Sequence, residues 1–212
     1  PVQVSWLGYP HSCGLPTIDY IMLDRYIRPE RPDLLIEQVF EMPETWVCLS
    51  RLGFRDEPIA PGLPEERTGG ITFGTMNNPY KYTEALLGLW ARVMREVPGS
   101  RFLFVRPEGG TECFRRNILQ QFARHGIAAD RIEFFSNVRG RHLSEYNRID
   151  ISLDTAPQTG GTTTCETLWM GVPVVTLVGP APFERLSYSN LCNADLGELC
   201  AFSAEDYVKA AV

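Results

Sequence analysis

The chain has 212 residues, of which 44% are hydrophobic and 22% are charged, values typical of a globular protein rather than a disordered one. At roughly 150 residues per domain, this length predicts one large domain, or one domain with a piece of another. Its 20 Lys and Arg residues against 26 Asp and Glu residues give a net charge of −6, which argues against a whole-surface nucleic-acid or membrane binder. No apolar run approaches the ~18 residues of a membrane span. We therefore expect neither nucleic acid nor a membrane as a partner.

The six cysteines include no CxxC pair, so the sequence predicts neither a zinc site nor a disulfide scaffold. We interpret them as free thiols of a cytoplasmic protein and expect no metal and no cofactor. The chain begins with Pro1 rather than Met and carries no signal-peptide pattern. We interpret it as a fragment of a longer protein or as a processed chain.

The first 70 residues predict a short α/β piece followed by a linker. A stretch rich in Pro and Gly, residues 58–70, opposes both helix and strand and is the best candidate for a domain boundary. The predicted organisation is residues 1–57 as the tail of one domain, residues 58–70 as the linker and residues 71–212 as a second domain. The strand candidates of the first piece are Val2–Leu7, Tyr20–Leu23 and Trp46–Leu49.

After Gly70, strand and helix patterns alternate about five times. The predicted strands are Ile71–Thr75, Arg101–Arg106, Arg131–Phe135, Ile149–Asp154 and Pro173–Leu177. The predicted helices are Lys81–Val97, Thr111–His125, Leu143–Arg148, Thr163–Met170 and Ser203–Ala211. This alternation predicts an α/β fold with a mostly parallel sheet and helices on both faces. Ligands of such sheets bind beyond the carboxyl ends of the strands.

The most informative segment is QTGGTTTCETLWMG, residues 158–171, which follows a predicted strand and opens a predicted helix. Gly160 and Gly161 would let a ligand approach the backbone closely. Thr162 and Thr163 would lie at the helix start, where free N–H groups and the helix dipole favour an anion. The segment therefore predicts a phosphate site, although it lacks the Gly-Lys-Ser/Thr of a Walker loop.

Each candidate side chain also has an ordinary structural interpretation. Glu166 could accept hydrogen bonds from ribose hydroxyls, or it could complete a capping box with Thr163. Lys81, just after a strand, could reach a phosphate or could be a solvated lysine. Arg139 and His142 belong to a local basic patch that suits an anionic ligand or a stacked base, or they could be solvated surface residues.

Five segments resemble the catalytic region of the O-GlcNAc transferase family, in particular its bacterial relatives, which are often joined to tetratricopeptide repeats. They are WLGYP at 6–10, GLPTIDY at 14–20, NNPYK at 77–81, LDT at 153–155 and GGTTTCETLWMGVPVVT at 160–176. The resemblance implies a B-type, two-domain glycosyltransferase fold. Residues 1–57 would be the tail of its N-terminal catalytic domain, and residues 71–212 its Rossmann-like nucleotide-sugar-binding domain. Most of the N-terminal catalytic domain and the upstream repeats would be missing.

The resemblance also implies roles for individual residues. Lys81 matches the family's lysine on the donor diphosphate, and we expect it to be catalytic. The residues expected to bind the donor are Asn78, Arg139, His142, Gly160, Gly161, Thr162, Thr163 and Glu166. Two positions depart from the family, because Gly161 replaces a histidine of the animal enzyme and residues 11–13, His-Ser-Cys, replace Gly-Thr-Thr/Ser.

The implied function is an inverting, metal-independent transfer of GlcNAc from UDP-GlcNAc to Ser or Thr hydroxyls of a protein acceptor. Two alternatives stay open: the same fold with another UDP-sugar, and a nucleotide-binding or interaction module without turnover. The presence of both Lys81 and Glu166 favours an enzyme. The sequence assigns no general base.

Overall fold

The structure, a computed structural model, describes residues 1–50, 54, 57–136 and 142–212. They form two sheets, one of three strands near the N-terminus and one of six strands. Every recorded strand pair in both sheets is parallel. Within the described part of the chain, no helix has both the length and the apolar character that a membrane crossing requires.

The small sheet has the strand order β1-β2-β3 and contains one strand that the sequence did not predict. Its strands are β1 (Val4–Ser5), β2 (Tyr20–Asp24) and β3 (Gln38–Met42). The prediction of a strand at Trp46–Leu49 is wrong. Trp46 is buried, but its backbone N–H donates to the Asp24 carboxylate at 2.9 Å rather than to a neighbouring strand. The true third strand, β3, is largely exposed and therefore lacks the apolar pattern that identifies a strand.

The large sheet has the order β6-β5-β4-β7-β8-β9, the arrangement of a doubly wound Rossmann sheet. Its strands are β4 (Thr72–Thr75), β5 (Arg101–Val105), β6 (Ile132–Phe135), β7 (Ile151–Leu153), β8 (Val174–Leu177) and β9 (Cys200–Ala201). The five predicted strands and the parallel α/β class are confirmed, and only the two-residue β9 escaped prediction. The strand order reverses between β4 and β7, where the fold leaves a crevice beyond the strand ends.

The helices confirm most of the predicted periodicity. They are α1 (Pro64–Thr68), α2 (Glu84–Glu96), α3 (Glu112–Arg124), α4 (Thr162–Trp169), α5 (Leu186–Asn193) and α6 (Ala204–Ala211), with 3-10 turns at Pro79–Lys81 and Leu143–Arg148. The helix predicted from Lys81 begins later because Thr83 caps α2 by accepting a hydrogen bond from the Leu86 N–H at 3.1 Å. The expected linker contains the short α1, and the domain boundary placed there stays a prediction.

An aromatic cluster holds the large domain together. The indole of Trp90 on α2 is fully buried and packs against Phe102 at a ring distance of 5.0 Å. Its N–H donates to the hydroxyl of Tyr207 on α6 at 3.2 Å, so that two helices and the sheet share one core. Burial of each such side chain contributes about 1.5–3 kcal/mol.

A buried carboxylate ties the small sheet to the large domain. One oxygen of Asp24 accepts the N–H groups of Tyr26 and Ile27 at 2.9 and 3.0 Å. Its other oxygen accepts from the Trp46 N–H and from the hydroxyl of Ser189 on α5. Asp24 has no exposed surface, and Ile27 and Ser189 are also fully buried, so water cannot readily replace the carboxylate as their hydrogen-bond acceptor.

We predict that Asp24→Ala lowers the free energy of unfolding by about 3 kcal/mol, because it leaves several buried donors without an acceptor. Urea denaturation followed by tryptophan fluorescence measures the change. Asp33→Ala is the matched control, since that carboxylate is exposed and pairs with the exposed Arg31, where ion pairs contribute little. Equal stability of Asp24→Ala and the control would contradict the tethering role.

Candidate functional site

A cavity of about 290 Å³ lies at the carboxyl edge of the large sheet, beside the point where the strand order reverses. This volume is close to the lower end, about 300 Å³, of typical small-molecule sites. The cavity brings together four of the predicted donor-binding residues with residues at and beyond the ends of β4 and β5. Its lining consists of Met76, Val105, Arg106, Pro107, His142, Thr162, Thr163 and Glu166.

The N-terminus of α4 opens onto this cavity. Gly161 is the residue that precedes the helix, and among the described residues no side chain caps it. The first backbone bond of the helix runs from the Cys165 N–H to the Gly161 carbonyl at 3.2 Å. The N–H groups of the first turn therefore remain available to an acceptor in the cavity, and the helix dipole adds positive potential there.

The capping-box interpretation of Thr163 and Glu166 is wrong. The helix starts at Thr162, so Thr163 lies inside it rather than at its cap. The Glu166 carboxylate instead lies 3.3 Å from Nε2 of His142. The imidazole is 41% exposed and the carboxylate 18% exposed, so the pair presents polar edges to the cavity while it remains accessible.

The loop before α4 allows no side chain at Gly160. A Cβ at this position would overlap the Thr164 hydroxyl and lie 3.1 Å from the Asp154 carboxylate. At Gly161 a Cβ would meet only the side chain of Leu186, at 3.7 Å. The first glycine is therefore required by close packing, whereas the second position has room for a side chain.

Helix α5 holds this loop from the other side. The Ser187 hydroxyl donates to the Gly160 carbonyl at 2.9 Å, and the Asn190 side-chain amide donates to the Gly161 carbonyl at 3.1 Å. The Leu186 N–H donates to the Thr159 hydroxyl at 3.1 Å. The loop is thus fixed in position before any ligand arrives, which is the condition for a preorganised anion site.

Lys81 lies against the loop rather than in the cavity lining. Its ammonium donates to Oδ1 of Asn77 at 3.0 Å and to the carbonyl of Thr159 at 2.9 Å. Burial lowers the pKa of this ammonium, negative charge on Asp154 raises it, and the positive charge of Arg106 lowers it. Lys81 is therefore partly buried and fixed in position by two hydrogen bonds, unlike an ordinary solvated lysine.

Two other predicted ligands are less directly placed. The Asn78 side chain accepts a hydrogen bond from the Tyr80 N–H at 3.3 Å and caps the 3-10 turn, so its contact with a phosphate stays a prediction. Arg139 lies outside the described residues. Arg148, at the end of the 3-10 turn that follows His142, is ion-paired with Glu133 and Glu145.

Sequence reasoning missed Asn77 and Asp154, which are both buried beside Lys81. The Asn77 amide donates to Asp154 Oδ1 at 3.1 Å and accepts from the Lys81 ammonium. A signal was present in the sequence: Asp154 directly follows β7 and Asn77 lies two residues after β4, at the edge where parallel strands collect their ligands.

Cys165 lies in α4, next to Glu166, and its side chain is half-buried. Burial raises the pKa of the Cys165 thiol to about 11, so little thiolate exists at neutral pH. All six cysteines are free thiols, as the sequence predicted. Among the described residues, no group of three or more His, Cys, Asp or Glu side chains is arranged to hold a metal ion.

Relatives with assigned names cover the whole chain. A rice protein, from Oryza sativa subsp. japonica, named as a probable UDP-N-acetylglucosamine–peptide N-acetylglucosaminyltransferase SPINDLY, is 37% identical over 217 residues, covering 100% of this chain and 23% of the relative. The Arabidopsis thaliana protein of the same name is 34% identical over 215 residues with the same coverage. The chain thus spans 23% of the length of these curated relatives.

Solved structures agree with this similarity. An O-GlcNAc transferase mutant from Thermobaculum terrenum matches with a TM-score of 0.89 at 30% identity, covering 100% of this chain and 40% of that one. A sucrose-phosphate synthase from Thermosynechococcus elongatus matches with a TM-score of 0.53 at 15% identity over 93% of this chain and 54% of that one, a likeness of fold alone. Residues 59–212 match the family described as Glycosyl transferase family 41. The resemblance drawn from the sequence is confirmed, and the chain belongs to glycosyl transferase family 41.

Proposed function

We propose that this chain is the nucleotide-sugar-binding part of an inverting, metal-independent glycosyltransferase that moves GlcNAc from UDP-GlcNAc to Ser or Thr hydroxyls of a protein. The observation that carries the proposal is the uncapped N-terminus of α4 facing a cavity that is also lined by His142 and by Glu166 of the same helix. The names of the relatives supply the sugar and the acceptor class. The six free thiols support a cytoplasmic location.

The proposed binding mode follows from the polarity of the cavity. The diphosphate would lie at the start of α4, near Thr162 and Thr163, where N–H groups and the helix dipole favour negative charge. Glu166 would accept hydrogen bonds from ribose hydroxyls, and the His142 imidazole would contact the base. The three roles use groups of the matching polarity and leave no carboxylate facing a phosphate.

The proposed mechanism is stabilisation of the leaving group. As the acceptor hydroxyl attacks the anomeric carbon, the bond from the sugar to the diphosphate breaks and negative charge grows on the phosphate oxygens. A lysine ammonium has three N–H donors, two of which are used by Asn77 and Thr159. The third would donate to the departing diphosphate, together with the N–H groups of α4, and this stabilisation needs no metal.

We predict that Lys81→Met in the complete enzyme lowers turnover by at least about tenfold, since loss of one preorganised donor typically costs about 10²–10³ in rate. Methionine keeps the unbranched shape of the side chain and removes the charge. Initial rates at saturating donor measure the effect. Lys209→Met is the control, because Lys209 is the other lysine of this chain and its side chain is exposed. Wild-type turnover of a folded Lys81→Met enzyme would exclude the role.

We predict that Glu166→Ala weakens UDP binding by about 1–3 kcal/mol, the cost of leaving ribose hydroxyls unpaired. Because Glu166 is not a capping partner, thermal stability should change little. Calorimetry and thermal unfolding on the same variant separate the two effects. Glu112→Ala, in the first turn of α3, is the matched control, and equal UDP affinity of both variants would contradict the ribose contact.

The isolated chain should bind UDP weakly and transfer no sugar. Its cavity would supply the nucleotide contacts. Closure over the substrates, which excludes water and orients the reacting groups, contributes several kcal/mol to such reactions, and it would require the parts of the enzyme that this chain does not span. Calorimetric titration with UDP, GDP, UMP and several UDP-sugars, beside a radiolabelled transfer assay, tests this. Tighter binding of a different UDP-sugar would favour the same fold with another donor. Nucleotide binding without turnover by a complete enzyme would favour a binding or interaction module. Robust transfer by these 212 residues would overturn the domain assignment.

A further inference from the structure

The carboxylate of Asp154 is buried behind the candidate site, where it contacts Asn77 and the loop before α4, and the proposed chemistry assigns it no task. It follows directly after β7, the strand next to the reversal of strand order, and only 1% of the residue is exposed. Its Oδ1 accepts the N–H groups of Thr155 and Gly160 at 2.8 and 2.9 Å and the Asn77 amide at 3.1 Å. Its Oδ2 accepts the Thr176 hydroxyl at 2.7 Å.

These partners are all donors, which is the set that an ionised carboxylate requires because it can only accept. A neutral carboxyl would have to direct its own O–H toward one of these partners, and three of the four can only donate, the Thr176 hydroxyl being the exception. The carboxylate is thus satisfied as an anion by two backbone and two side-chain donors, and the local cost of burying its charge is offset in this way.

The contacts of Asp154 close a ring around the site. Asn77 donates to Asp154 and accepts from the Lys81 ammonium, and that ammonium donates to the carbonyl of Thr159. Thr159 is followed by Gly160, whose N–H returns to Asp154. The ring joins the loop after β4, the loop before α4 and the end of β7, so that a shift of one member displaces the others.

We propose that Asp154 is a positioning residue of the donor site, which acts through Asn77 on the Lys81 ammonium and through the Gly160 N–H on the phosphate loop. The proposal rests on the proposed function for the part that concerns the diphosphate. The geometry of the ring itself does not depend on the identity of the donor.

Charge adds to this positioning. The charged groups that face the Lys81 ammonium are Asp154 and Arg106, and Arg106 is itself paired with Glu108 at 3.2 Å. Burial lowers the pKa of Lys81, and of the two charged groups only Asp154 raises it. The titratable hydroxyls on neighbouring elements face backbone oxygens: Tyr82 donates to the Asn77 carbonyl and Tyr207 to the Asp154 carbonyl. Loss of the Asp154 charge should therefore let the Lys81 ammonium lose its proton at a lower pH.

The informative variant is Asp154→Asn, which removes the charge and keeps the shape. The amide oxygen can still accept from Asn77, Thr155 and Gly160, and the new NH₂ group can donate to the Thr176 hydroxyl. Asp150→Asn is the matched control on the residue just before the same strand. Both Asp150 oxygens accept backbone N–H groups, from Glu65 and Thr72 at 2.9 and 2.8 Å, at the opposite edge of the sheet.

The sequence makes the measurement direct, because it contains only two lysines, Lys81 and Lys209. With lysine labelled at Cε with ¹³C, the pH titration of each ammonium can be followed by NMR without any nucleotide, and the exposed Lys209 serves as an internal reference. We expect Asp154→Asn to lower the pKa of Lys81 relative to the wild type and to leave Lys209 unchanged. Asp150→Asn should move neither.

A calorimetric UDP titration of the same proteins forms the second arm. We expect Asp154→Asn to lower UDP affinity by about tenfold, since a charged donor loses its fixed position, and Asp150→Asn to leave it unchanged. An unaltered Lys81 titration in folded Asp154→Asn would overturn the proposal. Failure of the wild type to bind UDP, with the Lys81 shift present, would instead overturn the proposed function and leave the positioning role intact.

If Asp154→Asn does not fold, Asn77→Ala breaks the same link and leaves the other donors to the carboxylate in place. The Lys81 ammonium then loses a hydrogen bond that favours its charged form, so its pKa should fall and UDP binding should weaken by about tenfold. Wild-type behaviour of this variant in both arms would equally overturn the proposal.

Discussion

The buried carboxylate of Asp154 sets the constraint on which the carboxyl edge of the large sheet depends. A buried anion is stable only when donors surround it, and here those donors come from the strand end, from the loop after β4 and from the loop before α4. Satisfying one charge therefore fixes three chain segments relative to one another. The position of Gly160 follows, because its N–H must meet the carboxylate and its Cα has no room for a side chain.

Helix α5 extends this constraint to the small sheet. Its Ser187 and Asn190 hold the glycine loop, while its Ser189 donates to the buried Asp24 of β2. Neighbouring residues of one short helix thus contact both the glycine loop and the small sheet, so α5 fixes the position of the small sheet relative to the cavity. A mutation at Asp24 that displaces α5 would be transmitted to the loop through Ser187 and Asn190.

Elements with a periodic apolar pattern could be predicted from the sequence, whereas features that depend on contacts between distant residues could not. The strands β4 to β8 and the helix α2 bury whole apolar faces, so their periodicity is visible locally. The strand β3 is mostly exposed, and β9 has two residues, so neither carries a pattern. The capping box had correct spacing, but α4 starts at Thr162, after a loop that Asp154 and α5 hold, and Glu166 turns to His142, 24 residues away. The identities of the candidate ligands could be predicted from the resemblance. The positions of Asn77 and Asp154 after strands were visible in the sequence, but their contacts with Lys81 and Gly160 join distant segments and could not be predicted from a local pattern.

The distribution of charge around the cavity favours one orientation of a nucleotide ligand over the reverse one. The α4 N-terminus and Lys81 supply positive potential on one side, and Glu166 supplies a carboxylate one turn further along the helix. A carboxylate at this position would repel a diphosphate. The Glu166 carboxylate lies 3.3 Å from Nε2 of His142, however, and an imidazole N–H there can donate a hydrogen bond to it and partly offset its negative charge. Because electrostatic interactions strengthen when water is excluded, a ligand that closed this cavity would gain from presenting phosphate to the helix start and hydroxyls to Glu166. The reverse orientation would place phosphate oxygens against the Glu166 carboxylate, so in the proposed binding mode the nucleoside end of the donor is the part that His142 and Glu166 would contact.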